Sequence, residues 1–102
     1  MQEYNVVFSE TADNDLGDIV EYLSNFSPNI ARSYYDEIMV KTLSLSLMPH
    51  RCPFVKDESL REKGYRWLSI RNYTVFFVID EIDNAVDIRA ILYSRREYTA
   101  LL

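Results

Sequence analysis

The sequence predicts an α+β protein in which a helical hairpin covers one face of a small, mainly antiparallel sheet. Three observations carry that expectation. An apolar repeat at helical spacing runs from Ser9 to Phe26 and again from Ser27 towards Pro49. Three strand-like runs then crowd into residues 65–93. Only a few residues join the two helical stretches, so they fold back as an antiparallel pair. With 102 residues, 48% of them apolar, and only five Gly and Pro together, the chain reads as one compact domain spanning 1–102.

The predicted element order is β-α-α-β-β-β. Residues 4–8, from Tyr4 to Phe8, are β-branched and aromatic enough for a first strand. Ser9 suits an N-cap, with Glu10 and Asp13 near the positive end of the helix dipole. Ala12, Leu16, Ile19, Val20 and Leu23 form one stripe, and Asp13, Asp15, Asp18 and Glu21 fall largely outside it. Ser27 and Pro28 restart the pattern as cap and first helical residue, and Ala31, Tyr35, Ile38, Thr42 and Leu45 mark the buried side.

The stretch from His50 to Gly64, with Pro53 and many charges, reads as a loop. Strands are predicted over 65–70, 73–80 and 85–93, with Arg71-Asn72 and Glu81–Asn84 as hairpin turns. The last strand alternates Val86, Ile88, Ala90 and Leu92 against Asp87, Arg89, Ile91 and Tyr93. The phase of the first is ambiguous, since either Trp67 or Leu68 suits the inside. The sheet face away from the helices is expected to be open to a partner.

Composition narrows the function classes. No apolar run approaches the roughly 20 residues of a membrane span, and the N-terminus carries no secretion signal. Cys52 is alone, which excludes an internal disulfide and fits a reducing cytoplasm. One His and one Cys cannot assemble a zinc site, and Gly17 and Gly64 stand isolated, so neither a metal nor a phosphate-loop cofactor is expected. The formal charge of −5 opposes a simple nucleic-acid binder. It is unevenly spread: residues 1–37 hold eight acids and one base, net −7, and residues 38–102 hold ten bases and eight acids, net +2. An anionic partner would meet the C-terminal part.

The segment YRWLSIRNYTVFFVID, residues 65–80, is similar to the tyrosine–arginine strand and aromatic strand of the RelE/ParE toxin superfamily. VDIRAILYSRREYTALL, residues 86–102, resembles its last strand and arginine-rich close. The N-terminal helix, with aliphatics between acids and Tyr22, suits the ParE branch. The resemblance spans nearly the whole chain. It implies the toxin of a type II toxin–antitoxin pair, of the plasmid-stabilisation kind, with a cognate antitoxin as partner. ParE-like members inhibit growth by binding DNA gyrase, and RelE-like members enter the ribosome and cut messenger RNA.

The RelE branch implies a set of lysines and arginines on the open sheet face, with a tyrosine near the end. Arg66 matches the basic residue that opens the second strand. Leu68 stands where the next cation is expected, and Thr74 where an arginine follows the strand's tyrosine. Arg95 or Arg96 matches the arginine after the last strand. Two of four cationic positions are thus lost, and arginine cannot act as a base because its pKa exceeds about 12. Glu97, Tyr98, Tyr73 and His50 remain as conceivable proton-transfer groups.

If the chain is RelE-like, Arg66, Arg95, Arg96 and Tyr98 are the expected catalytic set. In either branch Arg66, Arg89, Arg95 and Arg96 are expected at the partner surface. Plainer readings stand beside these: His50 as a solvated loop residue, Cys52 as small packing, Arg89 paired with Asp87, and Tyr34 and Tyr35 as helix packing. Three functions remain open, namely a gyrase-directed toxin, a ribosome-dependent endoribonuclease, and a non-toxic module that keeps only antitoxin binding.

Overall fold

The computed structural model describes residues 3–102. Strand β1 (Asn5–Phe8) leads into helices α1 (Glu10–Ser24) and α2 (Pro28–Leu43). Two single 3-10 turns follow, Ser44–Ser46 and Pro49–Arg51, then the short helix α3 (Glu58–Glu62). Strands β2 (Arg66–Ile70), β3 (Tyr73–Asp80) and β4 (Ala85–Tyr93) complete the expected order. The sheet runs β1-β4-β3-β2, antiparallel except for the parallel pairing of β1 with β4.

Local chemistry fixes the boundaries. The Ser9 hydroxyl accepts from the Ala12 N–H at 3.0 Å and the Ser27 hydroxyl from the Ile30 N–H at 3.3 Å, which starts both helices where the sequence places them. α2 stops at Leu43, earlier than Pro49 suggests, because the chain tightens into a 3-10 turn and Met48 then takes a φ of +51°. The β3–β4 turn is held by the Asp80 carboxylate, which accepts from the Ile82 and Asp83 N–H groups.

Three expectations need correction. Residues 50–64 are not all loop: Asp57 caps α3 by accepting from the Leu60 N–H at 3.0 Å, a signal masked by the density of charge around it. The alternation of β4 does not run through. Phe76 pairs with Ala90 but Phe77 with Ile88, so Arg89 is an inserted bulge residue and every later side chain changes face. Val86, Ile88 and Ile91 therefore join the helix-side core with Val75 and Phe77. Ala90 and Leu92 turn to the opposite face with Phe76.

That opposite face is not open along its centre. Val55 and Leu60 pack on Phe76, Ala90 and Leu92, with Tyr65, Tyr98 and Leu102 closing the edges. β4 is consequently buried on both sides. The phase of β2 is settled as well: Leu68 lies opposite Val75 and packs into the helix-side core, while Trp67 lies opposite Phe76 on the far face.

Candidate functional site

The far face leaves a concavity of about 210 Å³ where four segments meet. Trp67 comes from β2, Thr74 and Phe76 from β3, Lys56 from the segment before α3, and Tyr93, Arg96 and Tyr98 from the end of β4 and the tail. Tyr98 stacks on Phe76 at 5.0 Å between centroids, 28° between planes, which pins the tail against the sheet. The Arg96 N–H donates to the Tyr93 carbonyl at 2.9 Å, so the chain turns back immediately after β4. Thr74 and Ser94 hydroxyls share a hydrogen bond of 2.9 Å at the wall. The result is an aromatic-floored pocket flanked by two cations.

Arg96 is exposed and also borders a second concavity of about 230 Å³, lined by Asp15, Asp18 and Tyr22 of α1 together with Tyr73 and Tyr93. It therefore forms the ridge between an aromatic pocket and an acidic, tyrosine-rich groove. Asp15 accepts from the Ile91 N–H at 2.9 Å. Burial pushes its carboxyl up, against the pull of that bond.

Arg66 is elsewhere. It lines a different concavity with His50, Phe54, Ile79 and Glu81, which shares no residue with the aromatic pocket. Its Nη1 donates to the Cys52 carbonyl at 2.6 Å and to the His50 carbonyl at 3.3 Å, and its guanidinium stacks 3.8 Å over the Phe54 ring. This arginine straps the 50–54 segment to the sheet edge. Arg95 is exposed on the tail turn, and Arg89 is exposed at the bulge with no ion pair to Asp87 among the described residues. Of the expected set, then, only Arg96 and Tyr98 are brought together.

The proton-transfer candidates divide similarly. Glu97 is held below the usual glutamate range by the Thr99 hydroxyl and N–H, which keeps it charged. Burial pushes the Tyr73 phenol up, with Tyr34, Tyr22 and Tyr93 reinforcing it. Burial likewise raises the Cys52 thiol, against Arg51 and Arg66, so the thiolate needed of a nucleophile is disfavoured.

His50 is better connected than a solvated loop histidine. Its Nε2 lies 2.9 Å from Glu81, whose other oxygen accepts from the Tyr4 hydroxyl at 2.7 Å. The sequence reading missed Lys56 and Trp67 as pocket residues. Lys56 sits in a stretch read as loop, and Trp67 had no fixed phase.

The model of the family described as the ParE toxin of the type II toxin–antitoxin system parDE matches residues 6–98. The chain belongs to this ParE toxin family, within the RelE/ParE superfamily. Two solved structures share the fold of this ParE-type toxin. A chain of the chromosomal ParDE toxin–antitoxin system from P. aeruginosa superposes with a TM-score of 0.72 at 17% identity, covering 89% of this chain and 96% of that one. A chain of the RelBE2 toxin–antitoxin complex from Mycobacterium tuberculosis gives 0.66 at 22% identity, covering 91% and 93%. No curated protein matches the chain.

Proposed function

We propose that this ParE-type toxin acts by binding and that its target is DNA gyrase, in the cytoplasm, with a cognate antitoxin holding it silent until needed. The observation that carries this reading is the fate of the four cationic positions. Leu68 packs half-buried against the helix-side core, Thr74 is engaged with Ser94, Arg66 is committed to two carbonyls and a ring, and among the described residues Arg96 is the one matched arginine that lines the pocket. Cutting RNA at the 2′-hydroxyl calls for several cations around a phosphorane-like centre and for a base and an acid. One arginine and one lysine beside stacked aromatics suit recognition of a protein or nucleic-acid surface instead. On this reading Arg96, Lys56, Trp67 and Tyr98 contact the target, and the whole of 1–102 is one toxin unit. The antitoxin partner is supported by the toxin–antitoxin system and the toxin–antitoxin complex from which the two similar folds come.

Purified gyrase with relaxed plasmid is the test. Loss of supercoiling or accumulation of linear DNA supports the proposal, and unchanged supercoiling at saturating toxin counts against it. A RelE-like reading keeps one specific observation in its favour, since Trp67, Tyr98, Lys56 and Arg96 together would also accept a stacked base and its phosphate. New 5′ ends in messenger RNA after brief expression, lost in Arg96→Ala, would favour that reading. Normal growth without an antitoxin would favour a module that only binds.

A further inference from the structure

The sheet has an unfinished edge. β1 pairs only with Ala85–Ile88, so among the described residues no strand pairs with the second half of β4 on that side. The phase of its backbone follows from the other side. Antiparallel pairs alternate between mutually bonded and non-bonded residues, and the Ser94 N–H donates to the Asn72 carbonyl at 2.8 Å. Stepping back by pairs, Leu92 and Ala90 face β3, and Ile91 and Tyr93 turn their backbone groups outward. The Asp15 carboxylate bears this out by taking the Ile91 N–H from outside.

The outward Tyr93 N–H and Ile91 carbonyl have no hydrogen-bond partner among the described residues. They border the 230 Å³ groove whose other wall is the acidic face of α1. An unpaired strand edge beside a cavity is a template for an added strand. Two carboxylates, Asp15 and Asp18, line the groove against one cation, Arg96, and α1 carries no basic residue, so the groove wall along this edge is net negative. Tyr22 and Tyr93 also line the groove, and a tyrosine ring holds a cation over its face well.

We infer that the β4 edge at Ile91–Tyr93 receives an extended, basic peptide segment of the partner, which pairs with the outward backbone groups and places a lysine or arginine between Asp15, Asp18 and the tyrosines. The inference rests on the proposed antitoxin as the source of that segment. Seated there, the segment covers Arg96 from the groove side, which silences the aromatic pocket by occupying its rim.

Three synthetic peptides test it on the full-length, isotope-labelled chain: alternating lysine–valine, alternating glutamate–valine, and the lysine peptide with its backbone amides methylated. The lysine–valine peptide should slow hydrogen exchange at Tyr93 and bind measurably, and the other two should not. Replacing exposed Asp18 by lysine should weaken the binding about fivefold, the size expected for reversing a surface charge pair. Asp15→Asn should weaken it too, with the fold checked by circular dichroism. Equal binding of the glutamate peptide would overturn the charge argument, and equal binding of the methylated peptide would overturn strand addition. Protection at β1 or β2 instead of Tyr93 would overturn the location. Neutralisation by a partner that ignores Asp18→Lys would sink this inference while leaving the toxin reading intact. Lysine-peptide binding by a chain with no effect on growth or gyrase would do the reverse.

Discussion

At the scale of single residues, Arg66 and Arg96 separate an arginine held by the fold from one exposed at a pocket rim, although the sequence presents them alike. Arg66 gives its protons to the Cys52 and His50 carbonyls and its plane to Phe54. Removing it leaves two carbonyls short of a charged donor, and Arg66→Ala should lose about 2 kcal/mol in urea unfolding. Arg96 is exposed, so Arg96→Ala should stay within about 0.5 kcal/mol of the parent while abolishing growth inhibition in cells.

The same scale holds a pH dependence. The Tyr4 hydroxyl, then His50, holds the Glu81 carboxyl below its usual range, and the same bond raises the Tyr4 phenol. A lowered carboxyl gives stability that is present above its unfolded pKa and lost as pH falls through the folded value. A raised phenol gives stability that is present below its unfolded pKa and lost as pH rises through the folded value. Melting temperature should therefore drop at both acid and alkaline ends, and Glu81→Gln should flatten both limbs. Thr42 offers a check of another kind: its hydroxyl is fully buried with no partner among the described residues. Thr42→Val should be neutral or stabilising by up to about 1 kcal/mol in the same urea experiment.

At the scale of elements, most of the fold was legible and most of the far face was not. The caps at Ser9 and Ser27 and most of the apolar stripes of α1 and α2 are local signals, so both helices start where expected, although α2 ends early at Leu43 and Tyr35, expected on its buried side, is exposed. The bulge at Arg89 is not local. Nothing in the residues 86–93 themselves marks it, because the extra residue is decided by pairing with Phe76 and Phe77 on another strand. That one insertion turned Ala90 and Leu92 to the far face. It also gave Val55, Leu60 and Tyr98 something to cover, and with them came the aromatic pocket. Leu68 stands at an expected cation position, and its register opposite Val75 packs it half-buried against the helix-side core. Leu68→Lys should accordingly cost about 1 kcal/mol, because a half-buried side chain loses apolar contact while the lysine's ammonium still reaches water, and thermal melting would report it.

At the scale of the whole molecule, the division of charge matches the division of surfaces. The acidic first third supplies α1, whose face borders the unfinished β4 edge. The basic remainder supplies Lys56 and Arg96 at the aromatic pocket. Arg96 belongs to both places, so a partner on one side alters access on the other. On the proposed reading a toxin that works by contact needs an exposed patch more than aligned proton donors, and the stacking of Tyr98 on Phe76 holds the tail side of that patch against the sheet. The most direct measurement is titration of purified gyrase with the toxin and with its Arg96→Ala variant. Binding by the parent, weakened at least about tenfold in the variant, is the predicted result. No binding by the parent, or equal binding by both, would contradict the account.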